Sequence, residues 1–162
     1  MALTQKTNYT YFWSVKDEKY GCFSQWYSSQ FEEDGVLFNC SEQYMMANKA
    51  ILFGDQEIYK KIMATESPKQ MKALGRKVKN FDPKVWEKEK YNIVLCGNLL
   101  KFGYNTDILQ ILQDTGDSVI AEASPYDKIW GIGMNKRKGL TEKDWRGANL
   151  LGKVLVEVRE TI

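Results

Sequence analysis

Residues 41–49, SEQYMMANK, are the stretch on which the interpretation of this chain depends. Ser41 is a favourable N-cap residue, so the sequence predicts a helix that begins after Ser41 and runs to Gly54. At about 100° per residue, Glu42 and Lys49 lie only about 20° apart around the helix axis, on the same face. Because the chain contains no histidine, any acid, base or nucleophile must be a carboxylate, lysine, tyrosine, cysteine or hydroxyl group.

Two interpretations of the Glu42–Lys49 pair are open from the residues alone. An exposed acid near a helix N-terminus is favoured by the helix dipole, and a surface lysine is ordinary. Against this, Tyr44, Met45 and Ala47 indicate that much of the helix is buried. A lysine held in a desolvated pocket binds its proton less tightly and becomes a nucleophile, and a nearby carboxylate can shuttle protons for it.

The bulk composition predicts one globular domain over residues 1–162, with its core at about 9–160. The net charge of +2 is too small to indicate general nucleic-acid binding. Three cysteines without a CxxC pair or a histidine argue against a zinc site and indicate reduced thiols in a cytoplasmic protein. No secretory signal and no apolar run of about 20 residues is present, so we expect no membrane association.

The pattern along the chain predicts a helix-rich α+β fold with a small β component. Strands are predicted at 9–14, 35–40 and 118–123. Beyond the helix that begins after Ser41, further helices are predicted at 56–64, 68–76, 83–102 and 105–113. The helix at 83–102 carries an apolar stripe, including Val85, that we expect to be buried. For the C-terminus we expect a helix that ends before about Gly152 and then a strand at 154–159.

A long polar loop, 126–144, follows the strand at 118–123, and such loops often carry function. Its segment 127–133, DKIWGIG, is typical either of a tight turn with a packed tryptophan or of a ligand site. In a ligand site, Asp127 would bond a hydroxyl or balance positive charge in an oxocarbenium-like transition state, and Trp130 would stack on a ring. The glycines, among them Gly131, would allow close approach of a phosphate or sugar. Neither a GxGxxG motif nor a P-loop is present.

Two further features near the C-terminus have alternative interpretations. Asn149 either caps the last helix or points its amide at a ligand. Lys136, Arg137 and Lys138 form either a solvated charge run or a phosphate-binding segment.

These segments, in this order, resemble the NADAR family of YbiA-like proteins over about residues 9–160. The matching segments are 12–13, 21–24, 41–44 with Ala47 and Lys49, 75–76, Trp86, 127–133, 149–152 and 156–159. One departure is Gln43, which stands where many members have histidine. The departure removes a titratable neighbour of Glu42 and leaves the Glu42–Lys49 pair intact.

The resemblance implies a compact, largely helical α+β fold and an enzyme that breaks N-glycosidic bonds without a metal or other cofactor. YbiA-like members hydrolyse phosphoribosylamino-pyrimidine intermediates of early riboflavin biosynthesis. Other members remove ADP-ribose from guanine in nucleic acid or nucleotides, and only that substrate would make nucleic acid a partner. A non-catalytic module that binds NAD or ADP-ribose is a third possibility, which would tolerate loss of Lys49.

The resemblance also assigns roles to individual residues. Lys49 would attack the anomeric carbon of the ribose and form an imine, while Glu42 would shuttle protons during base departure and imine hydrolysis. Direct attack by water, assisted by Glu42, is the rival mechanism. Asp127 would hold the ribose hydroxyls. The implied substrate-binding residues are Trp130, Trp86, Phe12, Asn149, Arg137 and Gly131.

Overall fold

The computed structural model describes residues 5–162, which form six α-helices and four short strands. The strands are β1 (Tyr9–Phe12), β2 (Phe31–Glu33), β3 (Val36–Phe38) and β4 (Val119–Glu122). The helices are α1 (Ser41–Leu52), α2 (Gln56–Ala64), α3 (Pro68–Gly75), α4 (Pro83–Tyr104), α5 (Thr106–Gln113) and α6 (Leu150–Thr161). The predicted helix-rich α+β class is confirmed. No helix in residues 5–162 has the length and apolar character needed to cross a bilayer.

The strands form two separate pairs. β1 and β4 are parallel, in a register that places Tyr9 opposite Val119 and Phe12 opposite Glu122. β2 and β3 form an antiparallel hairpin whose two turn residues, Asp34 and Gly35, both have positive φ, at 50° and 81°. An Asp-Gly turn of this kind matches the twist of the flanking strands. β2 has only three residues and was not predicted from the sequence.

The starts of three helices follow the predicted capping signals. The side chains of Asp55, Ser67 and Asp82 each accept a hydrogen bond from a backbone amide in the first turn of α2, α3 and α4. The prediction for α1 was wrong by one position, because Cys40 is the N-cap and Ser41 is the first helical residue. The Ser41 hydroxyl is buried and has no hydrogen-bond partner among the residues that the structure describes.

The predicted C-terminal strand at 154–159 is wrong, since these residues lie within α6. The buried apolar residues of α6 recur at the helical spacing i, i+3, i+4, i+7, and they are Leu151, Val154, Leu155 and Val158. The alternation of valines hid this pattern. Gly152 lies inside the helix, where a Cβ atom would collide with the carbonyl oxygen of Ile120. α6 therefore lies directly against β4.

The buried face of α4 is more polar than predicted. Val85 is 38% exposed, whereas Lys90, Asn98 and Lys101 are buried. The ammonium group of Lys101 donates a hydrogen bond of 3.0 Å to the carbonyl oxygen of Ser24. The first turn of α4 extends beyond the core, while its second half is tied by such bonds to the segment that precedes β2.

Candidate active site

Glu42 lies in the first turn of α1 and is only 6% exposed. Its carboxyl group accepts no hydrogen bond from any residue that the structure describes. Burial raises the pKa of Glu42 to about 7; the positive charges of Lys72, Arg76 and Lys49 oppose this rise, and the negative charge of Asp127 adds to it. Near neutral pH this carboxyl group can both accept and donate a proton.

Lys49 lies two turns further along α1 and is half-buried among aromatic rings. Its Nζ atom is 4.6 Å from the ring centre of Phe81 and 5.4 Å from that of Trp86. Burial lowers the pKa of Lys49, the cation of Arg76 lowers it further, and Glu42 opposes both effects. Within residues 5–162, no carboxylate lies within the 4.0 Å of an ion pair with this amine. A larger fraction of the Lys49 amine than of an exposed lysine amine is therefore in the neutral, nucleophilic form.

Asp127 begins the turn that follows β4. Its Oδ1 atom accepts hydrogen bonds from the backbone amides of Ile129, at 2.9 Å, and Trp130, at 2.8 Å. The negative charge of Asp127 contributes to the raised pKa values of both Glu42 and Glu122. Asp127 thus lies close to Glu42, although 85 positions separate them in the chain.

The N-terminus of α6 holds the segment 127–133 in place. The backbone amides of Asn149, Leu150 and Leu151 donate to the carbonyl oxygens of Gly131, Ile129 and Trp130, at 3.0, 3.1 and 3.1 Å. The first amides of a helix have no partner within the helix, so these bonds stabilise both the helix end and the loop. The first part of the predicted long loop is consequently held against the end of α6.

Asn149 uses its side chain to hold β4. Its Oδ1 atom accepts from the backbone amide of Glu122 at 3.1 Å, and its Nδ2 atom donates to the carbonyl oxygen of Ile120 at 2.9 Å. Asn149 is buried and has a φ of 53°, but its side chain makes no capping hydrogen bond. Gly131 is similarly enclosed, because a Cβ atom there would come within 2.9 Å of the carbonyl oxygens of Asp127 and Glu122.

The remaining predicted residues lie in three different environments. Phe12 is 2% exposed and packs edge-to-face on Phe23 in the core. Trp130 is partly buried and packs against the main hydrophobic core. Arg137 lies on the exposed loop, with its guanidinium group 3.9 Å from Asp144. The structure brings Glu42, Lys49, Asp127 and Trp86 together, places Phe12 and Asn149 behind them, and leaves Arg137 at the surface.

The sequence analysis missed four residues of the site, namely Glu122, Lys72, Arg76 and Phe81. Glu122 is half-buried, and its Oε2 atom is inaccessible and has no hydrogen-bond partner in the described part of the chain. Burial raises the pKa of Glu122 to about 8; Asp127 and Glu42 raise it further, and Lys72 opposes them. An acidic residue at the end of an otherwise apolar strand was the signal that could have identified it.

Lys72 and Arg76 lie one turn apart on the exposed face of α3. Both cations favour the ionised form of carboxyl groups in the site. Lys72 lowers the pKa of Glu42 and of Glu122, and Arg76 lowers that of Glu42. Among the residues from 5 onward, neither cation has a carboxylate partner within 4.0 Å. Their charges are therefore available to an anion bound above Glu42 and Lys49.

Gln43 is directed away from these groups, into the junction of α1 and α2. It is 1% exposed, and its Oε1 atom accepts from the backbone amide of Asn39 at 2.8 Å. Its Nε2 atom donates to the carbonyl oxygens of Ile62, at 3.1 Å, and Thr65, at 3.4 Å. The glutamine found in place of the family's common histidine is thus a structural link between two helices.

The clearest surface depressions lie elsewhere. A cavity of about 410 Å³ lies between α2 and α3, with Lys61, Thr65 and Lys77 in its wall, and another of about 310 Å³ lies beside Tyr20. Neither is lined by Glu42 or Lys49. The chemistry of Glu42 and Lys49, and not the size of a depression, therefore identifies the site. Within residues 5–162, no three His, Cys, Asp or Glu side chains are arranged to hold a metal ion.

A half-buried lysine and carboxyl groups with raised pKa values, at the edge of a small parallel sheet in a helical domain, define the class of protein. Residues 11–162 match the model of the NADAR domain. The chain belongs to the NADAR family. The NMR structure of the E. coli protein YbiA is similar, with a TM-score of 0.79 and 28% identity over 96% of this chain and 85% of that one.

Relatives with curated names indicate the activity. The N-glycosidase R617 of Acanthamoeba polyphaga mimivirus is 48% identical over 145 residues, which are 85% of each chain. The riboflavin biosynthesis protein VVA0006 of Vibrio vulnificus is 28% identical over 90% of this chain and 36% of its own length. The protein is an N-glycosidase, a hydrolase that acts on N-glycosyl bonds.

Proposed function

We propose that this enzyme hydrolyses the C–N glycosidic bond of the phosphoribosylamino-pyrimidine intermediates of early riboflavin biosynthesis and releases ribose 5-phosphate. The observation that carries the proposal is that burial lowers the pKa of Lys49 and raises that of Glu42 to about 7, two turns apart on α1. A neutral amine and a carboxyl group that exchanges protons near neutral pH are the two groups this reaction needs. The name of the Vibrio relative supports this choice of substrate.

The proposed reaction passes through a covalent adduct on Lys49. The Nζ atom attacks the anomeric carbon, the bond from that carbon to the base nitrogen breaks, and the sugar opens to an imine. Glu42 takes the proton that the attacking amine loses. Water then adds to the imine carbon, and the sugar is released as the aldehyde. Asp127 stabilises the positive charge that develops on the ribose as the base departs.

Lys72 and Arg76 fit the phosphate that the proposed substrate carries. They are cations one turn apart at the C-terminal end of α3, without a carboxylate partner among residues 5–162, and their charges act on Glu42. A phosphate between them gains two charge-assisted contacts, and Arg76 offers the paired donors that suit phosphate oxygens. We propose that they bind the 5-phosphate and thereby place the anomeric carbon near Lys49.

Replacement of Lys49 tests the proposed nucleophile. We expect Lys49→Ala and Lys49→Arg to reduce release of ribose 5-phosphate from fresh 5-amino-6-(phosphoribosylamino)uracil by at least about 100-fold. Lys60→Ala, at an exposed position of α2, is the control and retains full activity. Borohydride added during turnover traps a sugar on Lys49 of the unmodified enzyme if the imine forms.

The proposed function fails if the unmodified enzyme releases ribose 5-phosphate no faster than the substrate does without enzyme. If the unmodified enzyme releases ribose 5-phosphate but no adduct is trapped, the imine mechanism is wrong and direct attack by water is the mechanism. Full activity of Lys49→Ala excludes Lys49 as the nucleophile.

A second candidate function is removal of ADP-ribose from guanine. Trp13 and Tyr126 favour it, because they form an exposed aromatic pair with ring centres 5.9 Å apart, and Tyr126 is 87% exposed. The pair lies beside Phe12 and Asp127, where its rings could stack on the adenine of a larger substrate. Assay of ADP-ribosyl-guanosine beside the riboflavin intermediate decides between them. Under this second function, Trp13→Ala and Tyr126→Ala reduce hydrolysis of the ADP-ribosyl substrate alone.

A further inference from the structure

Glu122 is held more firmly than a surface acid would be. Its backbone amide donates to Asn149, its carbonyl oxygen accepts from the amide of Ile132 at 2.8 Å, and it lies opposite Phe12 in the β1–β4 register. Its side chain lies against Gly131, where a Cβ atom would come within 3.2 Å of Oε2. The strand, the helix end and the glycine together fix the position of this carboxyl group.

No hydrogen bond accounts for this fixed side chain. The Oε2 atom is buried and has no partner within residues 5–162. The charged groups that act on Glu122 are Glu42 from α1, Lys72 from α3 and Asp127 from the loop after β4. Two of these three are acidic, and burial acts in the same direction, so Glu122 retains its proton at neutral pH. A carboxyl oxygen that is buried without a partner is costly to keep, which is typical of a group reserved for a ligand.

We propose that Glu122 is a second catalytic acid, which protonates the departing base, and this inference rests on the proposed function. As the bond from the anomeric carbon to the base breaks, its electron pair remains on the base nitrogen. The proton of the Glu122 carboxyl group moves to that nitrogen and leaves Glu122 as a carboxylate. Glu42 receives the proton that the Lys49 amine loses, and exchange with solvent transfers one proton back to Glu122. The sum is base–sugar plus water giving free base plus sugar.

Glutamine at position 122 keeps the volume and the hydrogen-bonding capacity but has no proton to transfer. We expect Glu122→Gln to lower kcat by about 100-fold or more, with little change in KM. The rate of the unmodified enzyme falls as pH rises through about 8, because Glu122 loses its proton there, and the variant lacks this fall. Glu142→Gln, at an exposed position, is the control and keeps both rate and pH profile.

Borohydride trapping separates this role from a structural one. Ribose 5-phosphate itself forms an imine with Lys49 by reversal of the last step, in which no base departs. Glu122→Gln is therefore expected to be trapped with ribose 5-phosphate as efficiently as the unmodified enzyme, but slowly with the intact substrate. Lys49→Ala is trapped with neither compound.

Three results overturn the proposal. A Glu122→Gln variant that is trapped with neither compound has lost the site, so Glu122 is a structural residue. A variant with normal kcat and an unchanged pH profile shows that Glu122 transfers no proton. If the unmodified enzyme hydrolyses neither the riboflavin intermediate nor ADP-ribosyl-guanosine, the proposed function is wrong, and so is the role of Glu122 as an acid in it. Hydrolysis without an adduct overturns the imine alone, since a departing base needs its proton in either mechanism.

Discussion

At the scale of single residues, Glu42 and Lys49 are ordinary side chains whose proton affinities are changed by burial. Desolvation favours the neutral form of each, so it raises the pKa of the acid and lowers that of the amine. Attraction between the two opposite charges shifts both pKa values in the other direction, but burial is the larger effect on each. The same burial that prepares the two groups for catalysis also makes their charged forms unfavourable in the folded protein.

Glu42→Gln is expected to stabilise the protein at alkaline pH. The pKa of Glu42 rises from 4.5 to about 7 on folding, so the folded state binds the proton more tightly than the unfolded chain. The contribution of Glu42 to the free energy of unfolding is therefore greatest below pH 4.5 and falls by up to about 3 kcal/mol as pH rises through 7. Glutamine cannot ionise, and urea unfolding at pH 8 should show a gain of this order that is absent at pH 4.

Glu160→Gln, at an exposed position of α6, serves as the control for that measurement and should show no gain at pH 8. Equal stability of Glu42→Gln and the unmodified protein at pH 8 would contradict the raised pKa. Catalytic activity is expected to fall in the same variant, because a stabilising change here removes a proton carrier.

At the scale of elements, the contact between α1 and α4 positions the catalytic helix. The ring of Tyr44 lies against Gly97 of α4, and its hydroxyl donates a hydrogen bond of 2.6 Å to Glu33 of β2. A Cβ atom at residue 97 would come within 2.6 Å of Cδ1 of that ring. Since the ring is held at both ends, α1 itself would have to move.

Gly97→Ala is thus expected to destabilise the protein by about 1–3 kcal/mol through overpacking. The same substitution at Gly103, also in α4, meets open space and should stabilise it by about 0.5–1 kcal/mol through helix propensity. Thermal unfolding of the two variants measures the difference. A Gly97→Ala variant as stable as Gly103→Ala would show that α1 and α4 are not closely packed here.

At the scale of the whole molecule, the site is assembled from separate parts of the chain. α1 supplies Glu42 and Lys49, α3 supplies Lys72 and Arg76, and β4 with its following loop supplies the other acids. The cavity between α2 and α3 lies on a different surface, with Lys61 and Lys77 in its wall. Binding of a phosphate ligand to variants of each position can therefore show whether it binds at Lys72 and Arg76 or in the cavity between α2 and α3.

Ribose 5-phosphate is expected to raise the unfolding temperature by about 5–10 °C at 100 times its Kd. The double variant Lys72→Ala/Arg76→Ala should lose most of this shift, because the phosphate loses both cations. Lys61→Ala/Lys77→Ala should keep it. The opposite pattern would place the ligand in the α2–α3 cavity and remove the support for Lys72 and Arg76 as the phosphate site.

The sequence by itself determined most of the helices, because their signals are local. The caps at Asp55, Ser67 and Asp82 and the proline starts of α3 and α4 act within one turn, and all are found where predicted. The pairing of Glu42 with Lys49 on one face follows from helix geometry alone. The ordered motifs also predicted the family, which the comparison confirmed.

Only the tertiary structure decided which groups share the site and what burial does to them. α6 replaced the predicted strand because its buried residues follow the helical repeat once β4 lies against Gly152. Glu122, Lys72 and Arg76 were not predicted as site residues, because neither an acid at the end of a strand nor a basic residue of α3 or of the segment 75–76 shows by itself which charges come together in the fold. Their role depends on charges brought close by packing between distant segments, and on desolvation, which is a property of the folded molecule.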